Sequence, residues 1–185
     1  MQSRIPRQSA PEHGIHRAEN DARLSDELAS VIAGARRRAV RDGDRQIDTA
    51  HLLHSLLESD PEARGVFGDG PQIARLLGYL VQRSIGYGLR WQSGVEDSGA
   101  VPVVAGCAGF SPLAAASMEY ACERAARRGG PARGIDLLAA IVVDAQARAV
   151  EVLGRAGIDP HEVLARLDGR FGRPGEWAGG GEPAH

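Results

Sequence analysis

The sequence contains no lysine, because all 22 of its basic residues are arginines. This excludes any catalysis or modification that needs a lysine amine. Cysteine is also scarce: Cys107 and Cys122 form no CxxC motif, so we expect neither a disulfide framework nor a cysteine-based zinc site. Aromatic residues make up only 4% of the chain, which argues against a β-sandwich rich in aromatic and β-branched residues.

Long apolar runs are missing too. No stretch is long enough to span a bilayer, and the first residues, MQSRIPRQSAPEHGIHRAEN, lack the apolar core of a signal peptide. We therefore expect a cytoplasmic protein. The 185 residues are 43% hydrophobic and 25% charged, with a net charge of -2, and this composition suits one compact domain.

An internal repeat is the most informative feature of the chain. The segment LSDELASVIAGARRRAVRDG, starting at Leu24, returns as FSPLAAASMEYACERAARRGG, starting at Phe110, and each copy precedes an apolar segment. The predicted register aligns Ser25 with Ser111, Gly43 with Gly129 and Leu52 with Leu138. Such a duplication predicts a pseudo-twofold body whose functional surface lies at the seam between its halves.

Each repeat reads as a series of helices. Ser25 and Ser111 are predicted N-caps of the two first helices, and a glycine ends each of them. The second helix is expected to follow Asp48 or Thr49 in the first repeat and to begin at Asp136 in the second. A third helix around Glu62 to Phe67 and a fourth opened by Pro71 complete the first repeat, and a helix around Arg148 to Leu153 and one opened by Pro160 complete the second. The predicted fold class is therefore all-α, a tandem repeat of two four-helix units with about eight helices.

The composition also predicts the domain boundaries. Both ends are rich in Pro, Gly and polar residues, which are typical of disorder. We predict a disordered arm at 1–22, a double-repeat domain at 23–168 and a disordered tail at 169–185. Within the domain, repeat 1 covers 23–87, a linker covers 88–108 and repeat 2 covers 109–168.

Several segments resemble one known family. IDTAHLLHSLL is similar to its I-G-T-E-H segment, the opening Phe110-Ser111-Pro112 to its F-S/T-P, and EVLGRAGIDPHEVLARL to its closing helices. The family is that of Clp N-terminal domains, especially those of ClpC-type AAA+ unfoldases, and the resemblance covers roughly residues 23–168. The sequence has no GxxxxGK[ST] loop to hold ATP phosphates. We therefore expect no ATPase activity, no other enzyme activity and no cofactor.

The resemblance implies a phosphoarginine-like site. In that family an acidic residue grips the guanidinium group, while hydroxyl and basic groups near a helix start hold the phosphate. The matching residues here are Arg23, Ser25, Ser111 and Asp136. The first repeat departs from the pattern, because Ala50 stands where the acid is expected and Glu27 where a basic residue is usual. In the second repeat the basic position is Leu113.

The resemblance also implies an apolar groove between the first helices of the two repeats, where adaptors and certain cyclic-peptide antibiotics dock. The matching positions are Ile32, Arg36, Phe110, Met118 and Glu119. The alternative is that Phe110 and Met118 simply pack in the core, as apolar residues at helical spacing often do.

Histidines offer little support for a metal site. His51 and His54 lie one helical turn apart, but the sequence places no third ligand beside them, so no metal site is predicted.

Two functions stay open. The resemblance implies a non-enzymatic binding module related to the Clp protease machinery. Such a module would capture adaptor or substrate proteins, or Clp-directed cyclic peptides, as a regulator or decoy. The alternative is a DNA-binding transcriptional regulator that uses the arginine-rich arm at Arg4, Arg7, Arg17 and Arg23, with the helical domain as ligand sensor. The negative net charge disfavours nucleic acid as a partner, and no membrane partner is expected.

Overall fold

The protein is described here from a computed structural model, which describes residues 23–68, 70–84, 96 and 109–171. The predicted arm, most of the predicted linker and most of the predicted tail lie outside the described residues. Within the described residues the chain forms eight α-helices and one short 3-10 helix, with no β-strand. The all-α prediction is confirmed.

The helices follow the predicted order in both repeats. The first repeat contains α1 (Asp26–Asp42), α2 (Thr49–Ser59), α3 (Pro61–Arg64), the 3-10 helix (Gly65–Phe67) and α4 (Gly70–Ser84). The second repeat contains α5 (Pro112–Arg128), α6 (Gly134–Val143), α7 (Arg148–Arg155) and α8 (Pro160–Phe171). The last helix thus extends past residue 168, the end of the predicted domain, to Phe171.

The duplicated sequence gives duplicated helix ends. The side chains of Ser25 and Ser111 each accept the backbone N–H three residues later, at 3.2 and 3.1 Å. Gly43 and Gly129 end the two first helices with φ values of 76° and 75°. Glycine adopts this left-handed conformation without the steric cost that a Cβ imposes, so each helix stops at the same place in its repeat.

The second helices are not aligned as predicted. Asp48 is the N-cap of α2 and Arg133 is the N-cap of α6, and the spacer between turn glycine and N-cap is one residue shorter in the second repeat. Leu52 therefore corresponds to Leu137, and the predicted pairing of Leu52 with Leu138 is wrong by one residue. Both helices are apolar almost throughout, so a shift of one residue leaves leucine matched with leucine.

The two second helices form the centre of the core. Every residue from Thr49 to Leu57 in α2 is buried, and so is every residue from Gly134 to Val142 in α6. Each helix packs on the first helix of its own repeat, and α2 and α6 also contact each other. A Cβ at Gly134 would overlap the carboxylate of Asp60 and come within 2.8 Å of Leu56 Cδ2. The start of α6 therefore requires glycine.

Within residues 23–68, 70–84, 96 and 109–171, no helix has both the length and the hydropathy that a bilayer-spanning helix needs.

Candidate functional site

Two short backbone contacts join the repeats at the seam. The segment before α1 pairs with the segment before α6 through a parallel bridge between Leu24 and Ala132, and the segment before α5 pairs with the segment before α2 through Ile47 and Phe110. The N-cap serines of α1 and α5 donate their backbone N–H groups across the seam, at 2.9 and 2.8 Å. Each first helix therefore begins beside the second helix of the other repeat.

A buried carboxylate lies at this seam. Glu96 is only 4% exposed and accepts backbone N–H bonds from Thr49 at 2.9 Å and from Arg148 at 2.8 Å. It also accepts the hydroxyl of Ser111 at 2.7 Å and that of Thr49. Thr49 and Arg148 are the first residues of α2 and α7, and Ser111 caps α5. Helix N-termini carry partial positive charge, so three helix starts stabilise one negative group.

The same network continues into both repeats. The Arg148 guanidinium donates to Asp48 at 2.8 Å, and the side chains of both residues are largely buried. The Thr49 hydroxyl accepts the backbone N–H of Ala149 at 3.1 Å while it donates to Glu96. Polar groups that satisfy one another in a buried network fix the relative position of the elements that carry them. The network thus sets how α7 sits on α2.

A second buried carboxylate is held by the chain's own arginine. Asp136 in α6 is fully buried and accepts two bonds from the Arg128 guanidinium, at 2.5 and 2.7 Å. It also accepts the backbone N–H of Arg133 at 3.0 Å, and Arg124 Nε lies 3.6 Å from it. The hydrogen bond with Asp136 raises the pKa of Arg128. A bidentate pair of this kind is among the strongest protein hydrogen-bond arrangements.

Two solved structures share this arrangement of helices. One is the N-terminal domain of the caseinolytic protease associated chaperone ClpD from Arabidopsis thaliana, with a TM-score of 0.58 and 21% identity over 82% of this chain and 96% of that chain. The other comes from structural work on a malarial protein secretion system, with a TM-score of 0.57 and 15% identity over 80% and 95% of the two chains. This chain has the Clp N-terminal domain fold. No protein-family model matches the sequence, and neither does any curated protein.

Within the Clp N-terminal fold, the residues of the predicted phosphoarginine-like site are distributed across the seam. Ser111 donates to Glu96, and Asp136 accepts from Arg128. Arg23 is exposed. Burial raises the pKa of the Cys122 thiol, the charge of Arg23 partly opposes this rise, and the charge of Asp136 adds to it.

The one-residue shift in α6 changes which residues correspond in this fold. Asp136 takes the position of His51, the third residue of the helix, and the residue equivalent to Ala50 is Ile135. Neither repeat thus places an acidic residue at the position of Ala50 and Ile135, where the resemblance implies one. Glu27 stays ionised, because hydrogen bonds from its own backbone and from Ser25 lower its pKa, and its charge opposes a phosphate.

The predicted groove residues differ in exposure. Arg36 and Glu119 are exposed, Ile32 and Phe110 are half-buried against the core, and Met118 is buried. Burial of Met118 agrees with the core-packing alternative for that residue. The groove itself stays a prediction.

The seam residues that bear on binding were mostly missed from the sequence. Glu96 stands within the predicted linker, and its carboxylate contacts residues far away in the sequence, so no local pattern identifies it. Arg128 is at the end of a helix, where a basic residue is expected simply because it interacts favourably with the helix dipole. Thr49 gave the clearest signal, since it was a predicted cap of the second helix.

Proposed function

We propose that this chain is a non-enzymatic protein-binding module related to the Clp machinery. It captures adaptor proteins, substrate proteins or Clp-directed cyclic peptides through the face between α1 and α5, as a regulator or decoy. One observation supports this choice of surface. Ser111 and Asp136 of the phosphoarginine-like site are already bonded to Glu96 and Arg128, whereas Phe110 and Ile32 remain partly accessible and Arg36 and Glu119 are exposed.

The occupied polar groups make phosphoarginine a poor ligand. To reach Asp136, a ligand guanidinium has to displace that of Arg128 from two charge-assisted hydrogen bonds, each worth about 1.5 to 3 kcal/mol. A phosphate near Ser111 meets the negative charge of Glu96, which already accepts the Ser111 hydroxyl. We therefore expect free phosphoarginine to bind much more weakly than a cyclic peptide.

The proposed mechanism is competition for shared partners. A module that presents a similar face without a motor binds the same adaptors, and by mass action it lowers their occupancy on the unfoldase. The apolar members of the face provide affinity, and the charged rim residues Arg36 and Glu119 provide orientation.

Calorimetric titration with a ClpC-directed cyclic peptide tests this proposal, with free phosphoarginine titrated in parallel. We expect the peptide to bind the wild type and to lose at least about tenfold in affinity in Phe110→Ala, as is common for a buried aromatic anchor. Tyr120→Ala is the matched control, because Tyr120 is an exposed aromatic residue of α5 that is not among the predicted groove residues. The control should bind like the wild type.

Two results would contradict the proposal. If neither ligand produces heat, or if both variants bind the peptide equally, the face between α1 and α5 is not the binding surface. DNA binding with a steep dependence on salt would then favour the alternative regulator function, whose arginine-rich arm lies largely outside the described residues.

A further inference from the structure

The C-terminal half of α1 carries an exposed basic face. Arg36, Arg37 and Arg41 are exposed. Val40 lies between them and is 74% exposed, more than any other large hydrophobic residue that the structure describes. At about 100° per residue, these four positions span an arc of about 140° on one side of the helix, and the core residue Ala35 lies on the opposite side. We call these four residues the basic face of α1.

The charges of this face are largely uncompensated within the part of the chain that the structure describes. Arg36 and Arg37 form no ion pair with another described residue. Arg41 lies 3.3 Å from its neighbour Asp42, but 62% of its side chain is exposed. Arg37 and Arg41 are one helical turn apart, and like charges at this spacing destabilise a helix. The face therefore favours the approach of a negative group.

The second repeat shows that the fold does not need this arrangement. In the register of the two N-cap serines, Glu123 of α5 stands at the position of Arg37. Arg127 stands at that of Arg41, and it lies 3.8 Å from a carboxylate oxygen of Glu123. A glutamate four residues before a basic residue stabilises a helix, so the second repeat has the pair that suits the helix itself. The like-charged pair of the first repeat is not explained by the fold and indicates a partner.

We propose that the basic face of α1 binds an acidic protein segment in which carboxylates flank an apolar side chain. The guanidinium group of arginine binds a carboxylate through two parallel N–H donors. Val40 provides the apolar contact between these charges, and a nucleic-acid backbone offers nothing to match it. The face also has no aromatic residue on which a base can stack, and the net charge of -2 repels phosphates at long range.

This face can be tested separately from the face between α1 and α5. Arg36 belongs to both, but Ile32 lies about 140° around α1 from Arg37, at about 100° per residue. We therefore expect Arg37→Glu to leave the affinity for the cyclic peptide unchanged. Phe110→Ala should in turn leave the affinity for an acidic peptide unchanged, so that either proposal can fail without the other.

The test measures the fluorescence anisotropy of a labelled synthetic peptide in which one leucine is flanked on each side by two glutamates. The same peptide with glutamines in place of the glutamates is the ligand control, and a labelled DNA duplex is titrated in parallel. We expect Arg37→Glu to weaken binding of the acidic peptide at least about fivefold, because it places a like charge at the interface. Arg127→Glu is the matched control, since it makes the same change of charge at an exposed position of α5, and it should bind the peptide like the wild type.

Val40→Ser tests the apolar contact and should weaken binding of the acidic peptide about threefold. The proposal is overturned if the acidic peptide does not bind, if the glutamine peptide binds equally well, or if Arg37→Glu and Arg127→Glu have the same affinity. Tighter binding of the duplex than of the acidic peptide at the same salt concentration would also overturn it and assign the face to nucleic acid.

Discussion

Acidification should destabilise the protein through His54. This histidine is only 6% exposed on α2, and its Nε2 lies 3.4 Å from a carboxylate oxygen of Glu58. Burial and the positive charges of Arg38 and Arg41 together lower the pKa of His54 to about 4, and the negative charges of Glu58 and Asp42 only partly oppose them. Arg38 is close because it pairs with the same Glu58. His54 is therefore neutral in the folded protein at pH 7.

The sign and size of the effect follow from this pKa. In the unfolded chain, His54 becomes protonated as the pH falls through its ordinary pKa of 6.5. In the folded protein it stays neutral until the pH approaches about 4. The stability that neutral His54 contributes is fully present above pH 6.5 and is lost as the pH falls from 6.5 towards 4. This interval corresponds to at most about 3 kcal/mol, at 1.36 kcal/mol for each pH unit.

Urea denaturation at pH 7, 6 and 5 measures this loss. Other groups also titrate in this range, so the informative quantity is the difference in slope between the wild type and His54→Gln. His161→Gln is the control, because His161 is exposed on α8, and it should keep the wild-type slope. An NMR titration that gives His54 a pKa near 6.5, or identical slopes for wild type and His54→Gln, would refute the reasoning.

Three substitutions test the buried contacts, each by urea denaturation. Glu96→Gln removes the charge that three helix starts stabilise, and we expect a loss of about 2 to 4 kcal/mol; an unchanged midpoint would mean that the carboxylate is not bound there. Gly134→Ala should cost about 1 to 3 kcal/mol by overpacking, whereas Gly78→Ala, which meets no atom within 4 Å, should stabilise α4 by about 1 kcal/mol. Arg128→Ala removes both guanidinium bonds to the buried Asp136 and leaves it the Arg133 N–H and the more distant Arg124, so we expect a loss of about 2 to 3 kcal/mol. The exposed neighbour Arg127 should tolerate the same change within about 0.5 kcal/mol, and equal losses would contradict the pairing.

The sequence predicted what is decided locally. The caps at Ser25 and Ser111 and the glycine ends of the first helices depend on residues within one turn, so their chemistry is visible in the sequence. The start of α6 was predicted two residues late, because nothing in an apolar segment marks where its first turn begins. The position of Asp136 in the alignment was wrong for the same reason.

The polar contacts of the seam could not be predicted in this way. Glu96 meets Thr49 across 47 positions of sequence, and Arg148 meets Asp48 across 100. Asp42 and Asp44 have carboxylate oxygens 3.7 and 3.2 Å from Nε2 of the buried His51, but they lie at the end of α1 and in the turn after it, so the periodicity of α2 does not include them. Such contacts depend on how the two repeats pack against each other. The duplication predicts that they pack as a pseudo-twofold pair, but not which side chains meet at the seam.

The backbone contacts across the seam make the folding of each repeat depend on the other. Because each first helix starts on a backbone contact supplied by the other half, an isolated half would expose unpaired N–H and C=O groups at this edge. The two repeats are thus arranged like the subunits of a dimer joined in one chain. Folding must close loops of about 110 and about 60 residues before the Leu24–Ala132 and Ile47–Phe110 contacts form, which slows it relative to a bundle with local contacts only. We expect the two halves to unfold together in a single transition, and a separated half to be stable only when it finds a second copy.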